Sequence, residues 1–103
     1  MTLEYNNIFE AITDDKAEAS DLQTRSDLMV AIRDIISAKQ WSQAVAAEQM
    51  GITQPRVSDL VNGRIEKFSI DKLMNCLYRI GYRFKPAFSG NQLTMAVEFV
   101  NAA

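Results

Sequence analysis

Histidine is absent from this 103-residue chain, and cysteine occurs once, as Cys76. The first absence removes Ser-His and Cys-His catalysis together with the commonest zinc ligand. The second rules out an internal disulfide, and Cys76, set in the apolar stretch LMNCLYRI, reads as a packed side chain. Long apolar runs are missing too, since none approaches the ~18 residues that span a bilayer. The start, MTLEYNNIFE, has neither a basic end nor an apolar stretch. It does not read as a secretory signal, and a cytoplasmic location with no membrane partner is the expectation. Asp14 and Asp15 are adjacent carboxylates in a polar segment and read as solvated. No catalytic residue, metal or cofactor is therefore expected, and the chain does not read as an enzyme.

What is present points to one small folded unit. A hydrophobic share of 48% against 23% charged residues excludes wholesale disorder. The length suits a single domain with at most a short appendage. The net charge of −2 hides an asymmetry along the chain. Residues 1–39 carry four Lys/Arg against eight Asp/Glu, a balance of −4. Residues 40–85 carry seven against four, a balance of +3, and the remainder holds only Glu98. An acidic front thus precedes a basic middle, which matters for the choice of partners.

Hydrophobic spacing divides the chain into elements. Residues 1–13 are weakly patterned, with a small apolar cluster in Ile8, Phe9 and Ile12. Residues 14–39 lack Gly and Pro and read as a helix beginning near Asp15, its apolar stripe formed by Leu28, Ile32, Ile35 and Ile36. Two short helices flank Gly51, capped by Ser42 and Thr53, with Pro55 in the first turn of the second and Asn62-Gly63 as its stop. Another helix, from Ile70 to Ile80, follows the cap Ser69. Phe68 and Leu73 are placed for a hydrophobic staple, and Ile70, Leu73, Met74, Leu77 and Ile80 form the buried face. Beyond Gly81, YRFKPAF and LTMAVEF alternate with period two around Ser89-Gly90-Asn91-Gln92. This predicts a β-hairpin whose first strand is marked as an edge or a bulge by Pro86.

The most informative stretch is QAVAAEQMGITQPRVSDLVNGR, residues 43–64. Gln43, Ala47, Gly51, Val57 and Leu60 stand at offsets 0, 4, 8, 14 and 17. Ala47 is small where the next helix must cross closely, and Gly51 permits the positive φ of a tight turn. Ala46, Met50, Ile52, Val57, Leu60 and Val61 supply a shared core. These positions together resemble the helix-turn-helix motif, an ordinary helical hairpin being the bland alternative. With Val57, Leu60 and Val61 inward, the second helix exposes Pro55, Ser58, Asp59 and Asn62, flanked by Gln54 and Arg56. The motif implies that Gln54, Pro55, Arg56, Ser58 and Asp59 face base edges. Gln pairs bidentately with adenine and Arg with guanine, while Pro55 offers an apolar surface to a thymine methyl. Asp59 has two readings: an acceptor from cytosine, or a local ion pair with Arg56 three residues earlier. Gln43, Thr53, Asn62, Arg64 and Lys67 are placed for the phosphate backbone.

The stretch ITQPRVSDLVNGR resembles the Xre/Cro type of regulator, including lambdoid phage repressors. The wider layout is similar to small HigA-type antitoxins. It includes Asn7-Ile8-Phe9, an acidic helix within residues 14–39, residues 51–60, Asn62-Gly63-Arg64, Phe68-Ser69 and a β tail at 82–99. The hairpin is longer than the tail of that pattern. The resemblance implies a mainly α fold: a compact four- or five-helix Xre/Cro-like DNA-binding domain with a C-terminal two-stranded β-hairpin. It divides the chain into an acidic segment at 1–23, a helix-turn-helix domain at 24–81 and the hairpin at 82–103. The function implied is that of a sequence-specific repressor, the antitoxin of a HigB-like toxin–antitoxin pair that autoregulates its operon.

The expected partners are double-stranded DNA carrying a palindromic operator, a second copy of the chain, and a ribonuclease-type toxin. The hairpin is placed at or near the homodimer interface, either pairing with the second copy or packing on the bundle through Phe84, Phe88, Met95, Val97 and Phe99. For the toxin, Ile8, Phe9 and Ile12 would be anchors, and Glu10, Asp14, Asp15, Glu18 and Asp21 a charged rim. Two alternatives remain: a stand-alone or phage-derived Xre-type repressor without a toxin, and a protein-interaction module that does not bind DNA. A self-cleaving repressor would need a Ser-Lys protease domain, for which the hairpin is too short.

Overall fold

A computed structural model describes residues 15–100, so the apolar cluster Ile8, Phe9 and Ile12 lies outside the described residues, as do Asn7, Glu10 and Asp14. Four α-helices are followed by a two-stranded hairpin: α1 (Lys16–Lys39), α2 (Gln43–Met50), α3 (Gln54–Val61), a 3-10 turn (Ile65–Lys67), α4 (Ile70–Arg79), β1 (Tyr82–Ser89) and β2 (Gln92–Phe99). The fold is mainly helical, as the periodicity predicted. Each α-helix starts where a short polar side chain offers an oxygen to orphan backbone donors. Asp15 accepts from the Ala17 and Glu18 N–H groups at 2.9 and 3.2 Å. Ser42, Thr53 and Ser69 accept from Val45, Arg56 and Lys72, each three residues on. Such a cap stabilises its helix by about 1 kcal/mol.

α1 is one continuous helix through Asp21–Ser26. It ends with Gln40 in the left-handed region at φ 56°. The Trp41 N–H donates to the Ile36 carbonyl and the Gln40 N–H to that of Ser37, at 3.1 and 3.0 Å, the paired bonds of a Schellman turn. Gly51 ends α2 in the same region at φ 70°, and the Ile52 N–H reaches back to the Ala47 carbonyl. Only this sharp reversal brings α3 across α2 within three residues.

The core lies where the helices cross. Ile32 and Ile36 of α1, Ala46 and Met50 of α2, Val57 and Leu60 of α3, and Leu73, Cys76 and Leu77 of α4 are buried together with Phe68. Phe68 precedes the Ser69 cap and Leu73 stands four residues beyond it, so the staple joins the core at both ends. The expected α1 stripe is rotated slightly: Met29 is buried, while Leu28 and Ile35 lie at its margin, partly covered. On α4 the centre is Leu73, Cys76 and Leu77, with Ile70, Met74 and Ile80 half-buried at the sides.

The hairpin pairs Tyr82 with Phe99 through to Ser89 with Gln92 without a break, so Pro86 marks an edge and not a bulge. Gly90 and Asn91 both have positive φ, 59° and 65°, the geometry of a type I′ turn whose twist matches the strands. A two-residue turn makes Ser89 and Gln92 a hydrogen-bonded pair. Alternation then puts Pro86, opposite Met95, at a non-hydrogen-bonded one. Its missing N–H falls on the outer edge and costs no ladder bond. The pleat gathers the large apolar side chains on one face. Tyr82, Phe84, Pro86, Phe88, Leu93, Met95, Val97 and Phe99 share one face, and Arg83, Lys85, Ala87, Ser89, Gln92, Thr94, Ala96 and Glu98 the other. Packing on the bundle is limited to the base, where Tyr82 and Phe84 lie against the core and Tyr78 meets Phe84 at 6.3 Å between ring centroids. Of the two arrangements considered for the hairpin, packing on the bundle does not extend to Phe88, Met95, Val97 and Phe99, since all four are exposed.

Candidate nucleic-acid interface

α3 is held by one face and presents the other. Val57 and Leu60 are fully buried, Val61 half-buried, and α3 packs on α1, α2 and the 3-10 turn. The opposite side of its first turn carries Thr53, Gln54 and Pro55, all exposed, followed by Arg56 with a half-exposed side chain. The Thr53 hydroxyl accepts the Arg56 N–H at 3.3 Å, which fixes the start of the helix beneath these side chains. Pro55 fits there because a first-turn residue has no intrahelical N–H bond to lose.

One turn on, the exposed side is internally bonded. Arg56 Nη1 lies 3.1 Å from Asp59 Oδ2, and Arg64 Nη1 lies 3.8 Å from Asp59 Oδ1. Of the two readings of Asp59, the local pair with Arg56 is present, and a second arginine shares the carboxylate. Asn62 Nδ2 donates to the Ser58 carbonyl at 2.9 Å and to Ser58 Oγ at 3.3 Å, folding Asn62 back over the end of α3. Arg64 and Lys67 stand exposed in the segment that follows. Gln43 is exposed at the start of α2, a separate element from the α3 cluster.

Four contributors to this surface were not singled out from the sequence. Arg33 of α1 donates to the Val61 carbonyl at 3.4 Å, placing a cation at the C-terminus of α3 where the helix dipole favours it. Arg25, held by Asp21 at 2.6 Å, donates to the Ile65 and Phe68 carbonyls at 3.4 and 3.2 Å. It ties the post-α3 segment to α1. Lys72 and Asn75 of α4 line a cleft with Thr53, Arg56, Phe68 and Asp71, adding a cation beside the first turn of α3. Their contacts to α3 and to the segment after it span 16 to 43 positions, so no local pattern announces them. Among the described residues no group of three His, Cys, Asp or Glu side chains is placed to hold a metal ion, and no helix is long and apolar enough to cross a membrane.

Two short helices joined by a three-residue turn, the second anchored by Val57 and Leu60 with its first turn bare, define a helix-turn-helix unit. Residues 11–85 match the helix-turn-helix domain family, and the chain belongs to it. That membership identifies a domain class of DNA-binding regulators. Among curated proteins, none matches the chain.

Proposed function

We propose that this chain is a sequence-specific repressor that reads duplex DNA with α3. The observation that carries this reading is the bare first turn of α3, where Gln54, Pro55 and Arg56 project while Val57 and Leu60 fix the helix in the core. Gln54 suits adenine and Arg56 guanine, each through paired donors or acceptors on the base edge. Pro55 suits a thymine methyl, Ser58 accepts or donates at the groove, and Asp59 orients Arg56 as well as facing bases. Gln43, Thr53, Asn62, Arg64 and Lys67 serve the phosphates, and Lys72 and Arg33 extend the same cationic side. A single α3 reads one half-site, so the working form is a homodimer on a palindrome whose halves lie about 34–36 Å apart or a multiple of that.

The finer reading is an antitoxin of the HigA type, with residues 1–23 as an acidic segment appended to the DNA-reading unit. Residues 1–39 carry −4, which does not assist binding to a polyanion. A ribonuclease toxin needs a basic surface for RNA, and an acidic segment complements such a surface while steering association. Support for this part is the charge asymmetry and the layout of the sequence.

The test is a binding titration on the chain's own upstream DNA at about 50 and 200 mM salt, where contacts to some 6–10 phosphates weaken affinity by about 10³-fold or more. Affinity that is absent, or flat with salt, refutes the repressor and favours an interaction module. A chain beginning at Asp21 then separates the two layers. It should retain the operator and lose neutralisation of a toxin encoded beside it, and neutralisation equal to the full chain refutes the acidic segment's role.

A further inference from the structure

The hairpin's apolar face is far larger than its footing on the bundle. Phe88 and Leu93 at the tip are each 70% exposed, and Met95, Val97 and Phe99 are each more than half exposed. Together these five side chains present about 600–700 Å² of apolar surface, beyond the ~300–600 Å² of the largest patch on a typical monomer. We propose that this face is a two-fold dimer interface, occupied by the same face of a second copy of the chain.

Four observations select that occupant. The first is area. Complete burial of two such faces would remove at most about 1,300 Å² from water, at the lower end of the ~1,200–2,000 Å² of stable specific interfaces. The second is chemistry. The face carries no charge at any of its positions, while the reverse face holds Arg83 and Glu98 paired at 3.0 Å. An uncharged face asks for an equally apolar partner, and an identical face meets that demand with no other protein required. The third is shape. The patch continues into a mostly apolar groove of about 380 Å³ between α1 and the hairpin, lined by Leu28, Ala31, Ile35, Phe84 and Val97 with Asp34 as its one charged residue, which can receive the projecting tip of a second hairpin.

The fourth is position. β1 packs on α4, whereas α3 packs on α1, α2 and the 3-10 turn, so covering the hairpin leaves the first turn of α3 bare in both copies. Pro86 also bears on the mode of contact. It removes an outward N–H from the β1 edge, which disfavours extension of the sheet through that edge. The inference rests on the DNA-reading proposal only for its purpose, since two copies of α3 are what a palindrome needs.

Sedimentation equilibrium of the full chain without DNA tests the interface directly. The wild-type chain should be a dimer at micromolar concentration. Phe88→Ser combined with Leu93→Ser should raise the dimer dissociation constant by about 100-fold or more, because apolar anchors at the centre of an interface dominate its stability. Met95→Ser alone should weaken the dimer in the same direction, and Lys85→Ala on the reverse face should leave it unchanged. The helical circular dichroism of each variant should match wild type, since none of these positions touches the bundle core.

A wild-type monomer across the concentration range overturns the inference, whether the face then takes a different protein, a lipid surface or nothing. So does a Phe88→Ser, Leu93→Ser chain that remains as dimeric as wild type. Binding of the same chains to a single half-site duplex keeps the two proposals apart. An unaffected dimer with intact DNA binding sinks only the interface, while a tip-dependent dimer that binds no DNA sinks only the reading of α3.

Discussion

Asp59 stands between two arginines, 3.1 Å from Arg56 and 3.8 Å from Arg64, on the exposed side of α3. In free energy of folding these partly exposed pairs contribute little, about 0.5 kcal/mol each. Their consequence is directional: the carboxylate fixes where the Arg56 guanidinium rests before DNA arrives. Asp59→Ala releases that restraint and removes a negative charge from the surface that meets phosphates. Affinity for unrelated duplex should rise, and the ratio of operator to unrelated binding should fall by about fivefold, the low end of what a bidentate base pairing supplies. Titrations on both duplexes at matched salt measure it. An unchanged ratio would show that Arg56 needs no orienting partner.

Base readers and phosphate holders respond to different variables. Gln54→Ala and Arg56→Ala should each cost about 1–3 kcal/mol on the operator and relax the preference at one base position. Arg64→Ala and Lys67→Ala should weaken every duplex alike, and each should lower the slope of log affinity against log salt by about 1. Unchanged operator affinity in both Gln54→Ala and Arg56→Ala refutes the assignment of the first turn.

Much of this surface was legible in the sequence because its rules are local. Caps at Asp15, Ser42, Thr53 and Ser69 act within three residues, and the left-handed turn at Gly51 is set by one. The spacing of Ala47, Gly51, Val57 and Leu60 encodes a crossing between neighbouring helices, so it placed α3 and its bare side together. The alternation after Gly81 pointed to the hairpin, while its unbroken register and two-residue turn at Gly90-Asn91 came from the structure. What was not legible depends on approach across the chain. Arg25 reaches carbonyls 40 and 43 residues away, and Lys72 joins the α3 cleft only because α4 folds beside it. Whether an apolar strand face meets its own bundle or stays bare is likewise a matter of angle. Only the first rungs of this hairpin dock, and period-two alternation is the same in either case.

The turn between α2 and α3 offers a stability prediction. Gly51 sits at φ 70°, and a Cβ added there would run into the side chain of Arg79. Arg79 is flexible and can move aside, whereas the backbone conformation cannot relax without moving α3. Gly51→Ala should therefore cost about 1–2 kcal/mol, the left-handed penalty of an L residue. The melting temperature should fall by about 4–8 °C per kcal/mol in a domain of this size. Repeating the substitution in an Arg79→Ala background should leave the loss nearly the same. A loss that vanishes there would assign the strain to the side-chain contact instead.

Cys76 supplies a dependence on pH. Its side chain is buried among Leu73 and Leu77, and desolvation pushes the thiol up from its ordinary value, an effect the nearby Arg79 charge partly offsets. The native thiol thus stays protonated at pH values where the unfolded one ionises, so the unfolded state binds fewer protons there. Stability must then fall as pH rises, from the ordinary thiol value of about 8.5 through the raised native one, while the contribution is intact below it. Cys76→Ala removes this dependence along with some packing. The stability difference between wild type and Cys76→Ala should be constant from neutral pH to about 8 and shrink above about 8.5. The same burial should make alkylation of native Cys76 slow and limited by opening of the core, with rapid reaction in denaturant. Rapid alkylation of the native chain, or a difference independent of pH, would place the thiol in water and contradict its position in the core.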